Sequence, residues 1–296
     1  STAALGAFFD PNYEGDGLKI QEVIKRGPFA VKKNEVTPGS IIEKIDGTDI
    51  KAGEDYNALL DGKAGKNIRL TIKNAKGKRF DLTIKAISQG AQQELLYKRW
   101  VDRNRAIVDS VSHGRIAYVH VKAMNSESFR TVYSELLSEK NRTKDAVIVD
   151  ERHNGGGWLH DDLCTLLSGK QYQEFVPHGK VVGKDPFNKW TKPSCVLICE
   201  DDYSNGHGFP WVYKELGIGK LIGAPVAGTM TAVWWETLMD RSLVFGIPQV
   251  GCRDMRGTFG ENTTLQPDIE VYNSPEDYIT GHDTQLIRAV EEMMKK

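Results

Sequence analysis

Ser204 is the residue whose type and position in this chain most directly suggest chemistry. It lies in a polar segment after the apolar run 194–199, and Asn205 and Gly206 come next. Hydrolases place a nucleophile at such a point, because a turn after a buried strand exposes both the serine Oγ and the next backbone N–H. A loop serine can equally form a turn or cap a helix. Two further features, one upstream and one downstream, favour the nucleophile.

The upstream feature is a glycine-rich segment at the end of another apolar run. A predicted strand ends at Asp150, and Gly155, Gly156 and Gly157 follow shortly after it. Glycine lets the backbone adopt positive φ and approach a ligand closely, so the N–H groups of such a loop can stabilise a developing oxyanion. A plain turn is the alternative. Nucleotide binding is disfavoured, since the segment has neither G-x-G-x-x-G nor Gly-Lys-Ser/Thr.

The downstream feature is the segment 260–271, which contains Glu261, Asn262 and the run 267–271. Taken locally, the segment predicts a turn that leads into a short strand. Glu261 is then either a surface acid or part of a catalytic group.

Strands alternate with helices in the part of the chain that carries these features. The pattern predicts strands at 115–121, 146–150, 196–199 and 220–223, and helices at 125–140, 159–167, 205–216 and 283–294. Ser126 is the candidate N-cap of the first of these helices. We therefore expect residues 111–296 to form an α/β domain with a largely parallel core sheet.

The earlier part of the chain predicts a different architecture. Residues 15–88 favour a small β-rich unit with strands at 18–24, 41–45, 68–73 and 80–87, the last two forming a hairpin, and a short helix at 55–60. Residues 89–110 follow as a charged helical linker with apolar side chains on one face.

One segment of the β-rich unit resembles a known domain. Residues 38–47 read Pro-Gly-Ser-Ile-Ile-Glu-Lys-Ile-Asp-Gly, which resembles the core segment of PDZ domains. The resemblance implies binding of an extended peptide along a sheet edge by strand addition. The alternative is a small β-domain without affinity for peptides.

The three features around Ser204 together resemble the family of tricorn and C-terminal processing (tail-specific) serine peptidases. That family shows a strand followed by D-x-R-x-N-x-G-G, a serine after a later strand, and an E-N-x-G-x-x-P-D-I-x-V segment. The matching residues here are Asp150, Arg152, Asn154, Gly156, Gly157, Ser204, Glu261, Asn262 and 267–271. The resemblance covers nearly the whole chain from residue 15 onward. It implies a crotonase/ClpP-like α/β peptidase domain preceded by a PDZ domain.

The resemblance also implies a role for each matching residue. Ser204 Oγ would attack the scissile carbonyl to form an acyl-enzyme. The N–H of Asn205, with that of Gly156 or Gly157, would hold the oxyanion. Glu261 would be the carboxylate that orients the catalytic pair through an intervening serine.

Three further side chains are candidates for the substrate pocket: His207, Trp158 and Trp234. His207 stands three residues after Ser204 and shares its face of a helix. A side chain one turn along does not usually reach Oγ in the attack geometry, so we expect His207 in the pocket or in packing rather than as the general base.

The chain departs from the family pattern at its beginning. In that family the catalytic histidine, with a helper serine, lies in a helical segment before the PDZ domain, whereas this chain begins at about the PDZ domain. We therefore expect residues 1–14 to be the remnant of an upstream segment, and the isolated chain to have little or no peptidase activity. One alternative stays open, a PDZ-type peptide-binding module with a catalytically silent α/β domain. A further one, an acyl-CoA enzyme of the crotonase type, is disfavoured by the Ser204 segment and by the segment that contains Glu261 and Asn262.

Composition bounds the partners. The 296 residues carry a net charge of −1 without long charged runs, which disfavours nucleic acid and anionic membranes. No apolar stretch approaches the ~20 residues of a membrane helix, so we expect no membrane insertion and a soluble protein of either cytoplasm or periplasm. The four cysteines fit no zinc pattern, and we expect buried thiols, no cofactor and no metal. Peptides or unfolded polypeptides are the expected substrates, and the resemblance implies homo-oligomers.

Overall fold

The computed structural model describes residues 1–32 and 35–295, with the side chain of residue 32 excepted. The chain divides into two compact units, Ser1–Arg103 and Asn104–Lys296. The division falls inside the predicted linker, which forms one long helix, α1 (Gln89–Val111). Within the described residues, every helix is too short or too polar to serve as a membrane span.

The first unit is built from short, mostly antiparallel strands. Its strands are β1 (Ala3–Ala4), β2 (Ala7–Phe9), β3 (Leu18–Val23), β4 (Ile41–Ile45), β5 (Thr48–Asp49), β6 (Asn67–Lys73), β7 (Arg79–Lys85) and β8 (Ile87–Ser88). The main sheet has the order β2-β3-β4-β6-β7, with β5 on β4, while β1 pairs with β8. In β6 every second side chain is buried, and in β7 exposed side chains alternate with buried or half-buried ones, because successive side chains of a strand point to opposite faces.

Three details of this unit bear on the sequence predictions. The expected hairpin is present, and β6 and β7 pair from Asn67 with Lys85 to Lys73 with Arg79. The expected helix at 55–60 is instead a 3₁₀ helix, Tyr56–Leu60, which Asp55 caps by accepting a hydrogen bond from the Asn57 amide. Residues within the expected upstream remnant supply β1 and β2, which pair with strands of this unit.

The second unit contains the predicted parallel sheet. Its core strands are β9 (Ile116–His120), β10 (Ala146–Asp150), β13 (Ser194–Ile198), β14 (Lys220–Gly223) and β17 (Ile269–Glu270), in the order β17-β14-β13-β10-β9. All neighbouring pairs are parallel. Every residue of β9, β10 and β13 is buried, as expected of strands covered on both faces. The α/β prediction is confirmed.

Helices and hairpins complete this unit. The helices are α2 (Ser126–Leu136), α3 (Glu139–Arg142), α4 (His160–Leu167), α5 (Asn205–Glu215), α6 (Pro275–Thr280) and α7 (Thr284–Met294). Two antiparallel hairpins were not predicted: β11 (Gln173–Phe175) with β12 (Gly183–Asp185), and β15 (Ala232–Thr237) with β16 (Val244–Val250).

The predicted helix 125–140 is corrected in two respects. Its N-cap is Asn125, not Ser126, since the Asn125 Oδ1 accepts from the Ser128 amide at 2.9 Å and its backbone is still extended. The helix ends at Leu136, and Ser138 caps the separate short helix α3. A serine side chain that binds nearby backbone competes with continuation of a helix.

The sheet positions the functional segments. β10 and β13 are parallel neighbours with Asp150 beside Leu197, so the loops that follow them leave the same edge of the sheet. Ligand sites of open α/β sheets lie at this carboxyl edge. Here it carries residues 151–157, with the triple glycine, and residues 199–205, with Ser204. We call these two segments the loop edge.

Candidate active site

Ser204 has an unusual backbone conformation. Its φ is 56° and its ψ is −118°. A non-glycine residue at such a positive φ is strained, and it keeps this conformation only where the surrounding structure holds it there. The Ser204 amide donates to Thr229 Oγ1 at 2.9 Å. Ser204 occupies the N-cap position of α5, yet its side chain makes no capping hydrogen bond within the described residues. The hydroxyl is therefore not used as a helix cap.

The triple-glycine segment packs directly against Ser204. A Cβ on Gly156 would lie 2.6 Å from the Ser204 Cβ and 3.0 Å from the Asn205 amide nitrogen. A Cβ on Gly157 would lie 2.1 Å from the Met124 carbonyl oxygen. Both glycines have positive φ. The close approach therefore requires glycine at both positions.

The two glycine amides differ in availability. The Gly156 amide already donates to Asn154 Oδ1 at 2.9 Å. The amides of Gly157 and Asn205 have no acceptor among the described residues. Of the two glycines predicted for an oxyanion hole, Gly157 is thus the one with an unused donor.

Asn205 also has a structural role that the sequence did not indicate. Its Oδ1 accepts from the amides of Leu159, at 2.7 Å, and His160, at 3.1 Å, and its Nδ2 lies 2.9 Å from His160 Nδ1. The side chain thereby ties the start of α5 to the start of α4, leaving the Asn205 backbone amide beside the glycines.

Asn154 joins the two loops of the loop edge. Its carbonyl accepts from the Tyr203 amide at 2.9 Å, and its own amide donates to Asp202 Oδ1 at 3.1 Å. Its Nδ2 donates to the Val121 carbonyl at 2.8 Å. These bonds hold the glycine segment and the Ser204 segment in register.

A buried ion cluster supports the loop edge from below. Arg152 is 2% exposed and donates to both carboxylate oxygens of Asp150, and to Asp283 at 2.9 Å and Gln285 at 3.1 Å. Tyr118 adds a hydroxyl bond to Asp150 at 2.8 Å. Burial alone would raise the pKa of Asp150. The charge and hydrogen bonds of Arg152 together outweigh burial, so the pKa of Asp150 lies below its usual value. Asp150 is thus ionised and paired, and it positions Arg152 rather than doing chemistry.

Two other carboxyl groups at the loop edge are poorly compensated. Glu151 is fully buried, and neither of its carboxyl oxygens has a hydrogen-bond partner within the described part of the chain. Burial, followed by the charges of Asp202 and Asp150, raises the pKa of Glu151 well above its usual range. Burial also raises the pKa of Asp202 to about 8, against the effect of the amides of Cys199 and Asn154. Both groups are held toward the protonated form.

Glu261 and His207 lie near each other but not at the serine hydroxyl. Glu261 Oε2 accepts from the Thr231 amide at 2.9 Å. His207 is 1% exposed, and its Nε2 lies 3.2 Å from the Thr263 carbonyl. Burial lowers the pKa of His207 although Glu261 acts in the opposite direction. His207 therefore stays neutral inside the helix packing, stacked on Trp211.

A cavity of about 330 Å³ opens beside Ser204. Its lining consists of Gly155, Gly157, Trp158, Tyr203, Ser204, Asn205, Met230, Thr231, Ala232, Val233 and Trp235. Of the three predicted pocket residues, Trp158 is present. His207 lies outside the lining because it is buried in α5. Trp234 also lies outside it, because successive residues of β15 point to opposite sides of the strand. Its neighbour Trp235 lines the cavity instead.

Comparison with known proteins assigns the fold to a family. The sequence model of peptidase family S41 matches residues 115–271, more than half of the chain. The chain belongs to peptidase family S41. The model of the tricorn protease PDZ domain matches residues 13–89, which agrees with the resemblance found in segment 38–47.

Individual relatives agree with this membership in the S41 family. The tricorn protease of Thermoplasma acidophilum is 28% identical over 259 residues, covering 87% of this chain and 24% of that protein. The tricorn protease homolog of Saccharolobus solfataricus is 27% identical over 309 residues, covering 100% of this chain and 28% of that protein. The crystal structure of the tricorn protease matches with a TM-score of 0.84 at 25% identity, over 99% of this chain and 29% of that one. The chain spans about a quarter of the length of these relatives.

Proposed function

We propose that this chain is the PDZ and nucleophile-bearing part of a tricorn-type serine endopeptidase that hydrolyses peptide bonds through an acyl-enzyme on Ser204. One observation carries the proposal. The Ser204 hydroxyl, unused as a cap, stands where the glycine bend comes within van der Waals contact of the Ser204 Cβ and the Asn205 amide. A nucleophile and backbone donors at one point are what acyl transfer requires.

The chemical steps follow from this arrangement. Ser204 Oγ gives its proton to a general base and bonds to the scissile carbonyl carbon. The carbonyl oxygen becomes the oxyanion, held by the amides of Asn205 and Gly157. Removal of one such donor typically costs about 3 kcal/mol of barrier. Collapse expels the amine, which takes the proton, and water then hydrolyses the ester and restores the hydroxyl.

The general base comes from outside residues 1–296 in this proposal. Among the described residues, no imidazole hydrogen-bonds to Ser204 Oγ, and the nearest in sequence, His207, is buried on Thr263. A serine hydroxyl without a base near neutral pKa is a weak nucleophile. Glu261, which accepts from the amide of the cavity residue Thr231, contributes as the carboxylate that orients the incoming catalytic groups.

The substrates proposed are peptides or unfolded polypeptides. The cavity beside Ser204 has exposed aromatic walls, with Trp158 62% and Trp235 64% exposed, and such surfaces suit apolar side chains of an extended chain. The unit that matches the PDZ model offers strand addition as a second way of holding the same chain. Assembly of several copies belongs to this proposal as well.

The test compares labelling and hydrolysis in two forms of the protein. One is the 296-residue chain, and the other is this chain extended by the histidine-bearing segment that the proposal requires. A fluorophosphonate probe should label Ser204 in the longer form and much less in the shorter one. Ser204→Ala should abolish labelling and lower peptide cleavage by at least ~10³-fold. Ser134→Ala, a change of an exposed serine on α2, is the matched control and should have no effect.

Two results would contradict the proposal. If the longer form cleaves peptides equally well with Ser204→Ala, the nucleophile is another residue. If the longer form binds peptides but neither cleaves them nor reacts with the probe, the chain is the peptide-binding module with a silent α/β domain.

A further inference from the structure

Three side chains at the loop edge form a cluster that the peptidase chemistry does not use. They are His153, Cys199 and Asp201, which we call the His153 cluster. The ligand atoms His153 Nδ1, Cys199 Sγ and an Asp201 carboxylate oxygen all lie within 4.8 Å of one another. Among the described residues, no other group of three or more His, Cys, Asp or Glu side chains meets this condition. None of the three lines the cavity beside Ser204.

The distances within the cluster are close to those of ligands around one tetrahedral ion. Nδ1 lies 2.9 Å from Asp201 Oδ2 and 3.8 Å from Cys199 Sγ, and Sγ lies 2.7 Å from Asp201 Oδ1. Metal–ligand bonds of 2.0–2.3 Å at tetrahedral angles separate ligand atoms by roughly 3.2–3.6 Å. Shifts of less than about 1 Å therefore convert the present hydrogen bonds into coordination. The exposed His153 and Asp201 side chains, 49% and 62% exposed, have room to make them.

We infer that the His153 cluster is a binding site for a zinc-class divalent cation, with His153, Cys199 and Asp201 as protein ligands and water in the fourth position. Imidazole, thiolate and carboxylate are the donors that zinc and cobalt(II) accept together. Calcium and magnesium prefer oxygen ligands alone. On binding, Cys199 releases its thiol proton to solvent and coordinates as the thiolate, so thiolate and carboxylate together balance the charge of the ion.

The sulfur faces the ion from the buried side of the cluster. Burial and the nearby Asp202 carboxylate raise the pKa of the Cys199 thiol, so the ion itself must drive the loss of the thiol proton. Cys199 is 2% exposed, so the thiolate approaches the ion from the protein side, while His153 and Asp201 approach from the solvent side. The His153 amide donates to Cys199 Sγ at 3.2 Å, and a hydrogen bond of this kind stabilises a sulfur ligand that carries negative charge. Solvent access on the other side leaves an open coordination position for water.

The position of the site gives it a consequence for the loop edge. His153 belongs to the loop that continues into the triple glycine, and Cys199 and Asp201 belong to the loop that continues into Ser204. An ion bound to all three residues therefore clamps the two loops together, in addition to the hydrogen bonds of Asn154. Binding should reduce hydrogen exchange of the amides in residues 151–157 and 199–205.

The experiment is a titration of the metal-free 296-residue chain with Co²⁺, followed by competition with Zn²⁺. We expect one equivalent to give a thiolate-to-cobalt charge-transfer band and the strong visible bands of tetrahedral Co²⁺, and Zn²⁺ to displace both. Cys199→Ser should abolish the charge-transfer band. His153→Asn and Asp201→Asn should each weaken binding at least ~10-fold. Asparagine is chosen for position 153 because His153 has φ 68°, which asparagine adopts readily.

Matched controls separate the site from other thiols and imidazoles. Cys252→Ser removes a partly buried thiol elsewhere, and His178→Asn replaces a histidine with a similar positive φ of 50°. Both should bind as the unmodified chain does. Absence of a charge-transfer band in the unmodified chain would overturn the inference. The inference would also be overturned if His153→Asn and Asp201→Asn kept the charge-transfer band with unchanged affinity. Both substitutions lie on the exposed side of the cluster, so they leave the core intact. These readouts do not involve peptidase activity, so they are independent of the proposed function.

Discussion

Carboxyl groups in two regions of the second unit have pKa values shifted in opposite directions. At the loop edge, Glu151 has no partner among the described residues, and the pKa of Asp202 is raised to about 8 by burial. On α7, Glu292 is also buried, but Lys220, Lys295 and Arg288 contact it and lower its pKa to about 2. The helix follows the rule that a buried charge is paired, and the loop edge departs from it. Such departures concentrate where a fold serves a function rather than stability.

The backbone shows the same contrast. Ser204 and His153, both at the loop edge, have positive φ. α7 begins instead with a regular cap, in which Asp283 accepts from the Leu286 amide. The loop edge therefore depends on its supports, above all Arg152 and the glycines. The following predictions test that dependence, beginning with the largest effect.

Arg152→Met should have the largest effect on the stability of the second unit. It leaves Asp150 and Asp283 buried without their cation, and breaking a buried pair in this way typically costs about 3–5 kcal/mol. Urea unfolding followed by tryptophan fluorescence would measure the loss. Arg288→Met, which removes one of three cations around Glu292, is the control and should cost less than about 1 kcal/mol. Equal costs would show that the Arg152 cluster does not support the loop edge.

Gly157→Ala should cause the second-largest loss of stability, about 2–4 kcal/mol. The new Cβ would meet the Met124 carbonyl at 2.1 Å, and the glycine φ of 133° is closed to alanine. Gly155→Ala is the control within the same loop, because a Cβ there meets nothing within 4 Å. The same unfolding measurement applies. If the two variants are equally stable, the tight contact between the glycine loop and Met124 is wrong.

Glu151→Gln should change how stability depends on pH. The folded pKa of Glu151 lies above its unfolded value of about 4.3, so the folded state binds more protons and stability falls as pH rises above that value. Asp202 contributes with the same sign up to its pKa of about 8. Between pH 5 and 8, Glu151→Gln should flatten this fall by up to roughly 1.4 kcal/mol per pH unit. An unchanged slope in urea midpoints would contradict an uncompensated Glu151.

Glu292→Gln should have the smallest effect on stability, and its pH dependence should be opposite in sign to that of Glu151→Gln. The folded pKa of about 2 lies below the unfolded value, so the carboxylate contributes stability above pH 4.3 that is lost as pH falls toward 2. Because its cationic partners are partly exposed, we expect a loss of at most about 1 kcal/mol at pH 7, reduced by salt. Thermal unfolding at pH 7 and pH 3, at low and high salt, would test this. A larger loss at pH 3 than at pH 7 would contradict the pairing.

The features that could be predicted from the sequence are local. Apolar runs such as 146–150 predicted strands buried on both faces. A strand with one face in water would alternate apolar and polar residues, whereas a strand covered on both faces has a continuous apolar run. Glycines and the residues around Ser204 predicted a turn with exposed donors, since backbone conformation follows from the residue types themselves. The predicted elements of the second unit ended within a few residues of the observed ones, with the correction at Asn125.

The features that were missed depend on residues far apart in the chain. The bond between Arg152 and Asp283 joins positions 131 residues apart, and no periodicity encodes such a pair. The hairpin of β15 and β16 was missed because both strands carry exposed apolar side chains without a clear alternation. Trp235 lines the cavity, whereas the sequence predicted Trp234. Which of the two faces the cavity depends on the register of β15, which a single sequence does not specify.

The chain order of residue types therefore accounts for the α/β sheet, the glycine loop and the serine after a buried strand, because each depends on neighbours within a few residues. Folding alone decided that the Gly157 and Asn205 amides are the unused donors, that Glu151 is buried without a partner, and that His153, Cys199 and Asp201 meet. The physical reason is that donor availability, desolvation and ligand distance arise where separate segments converge. Parallel pairing of β10 with β13 brings those segments together at one edge of the sheet.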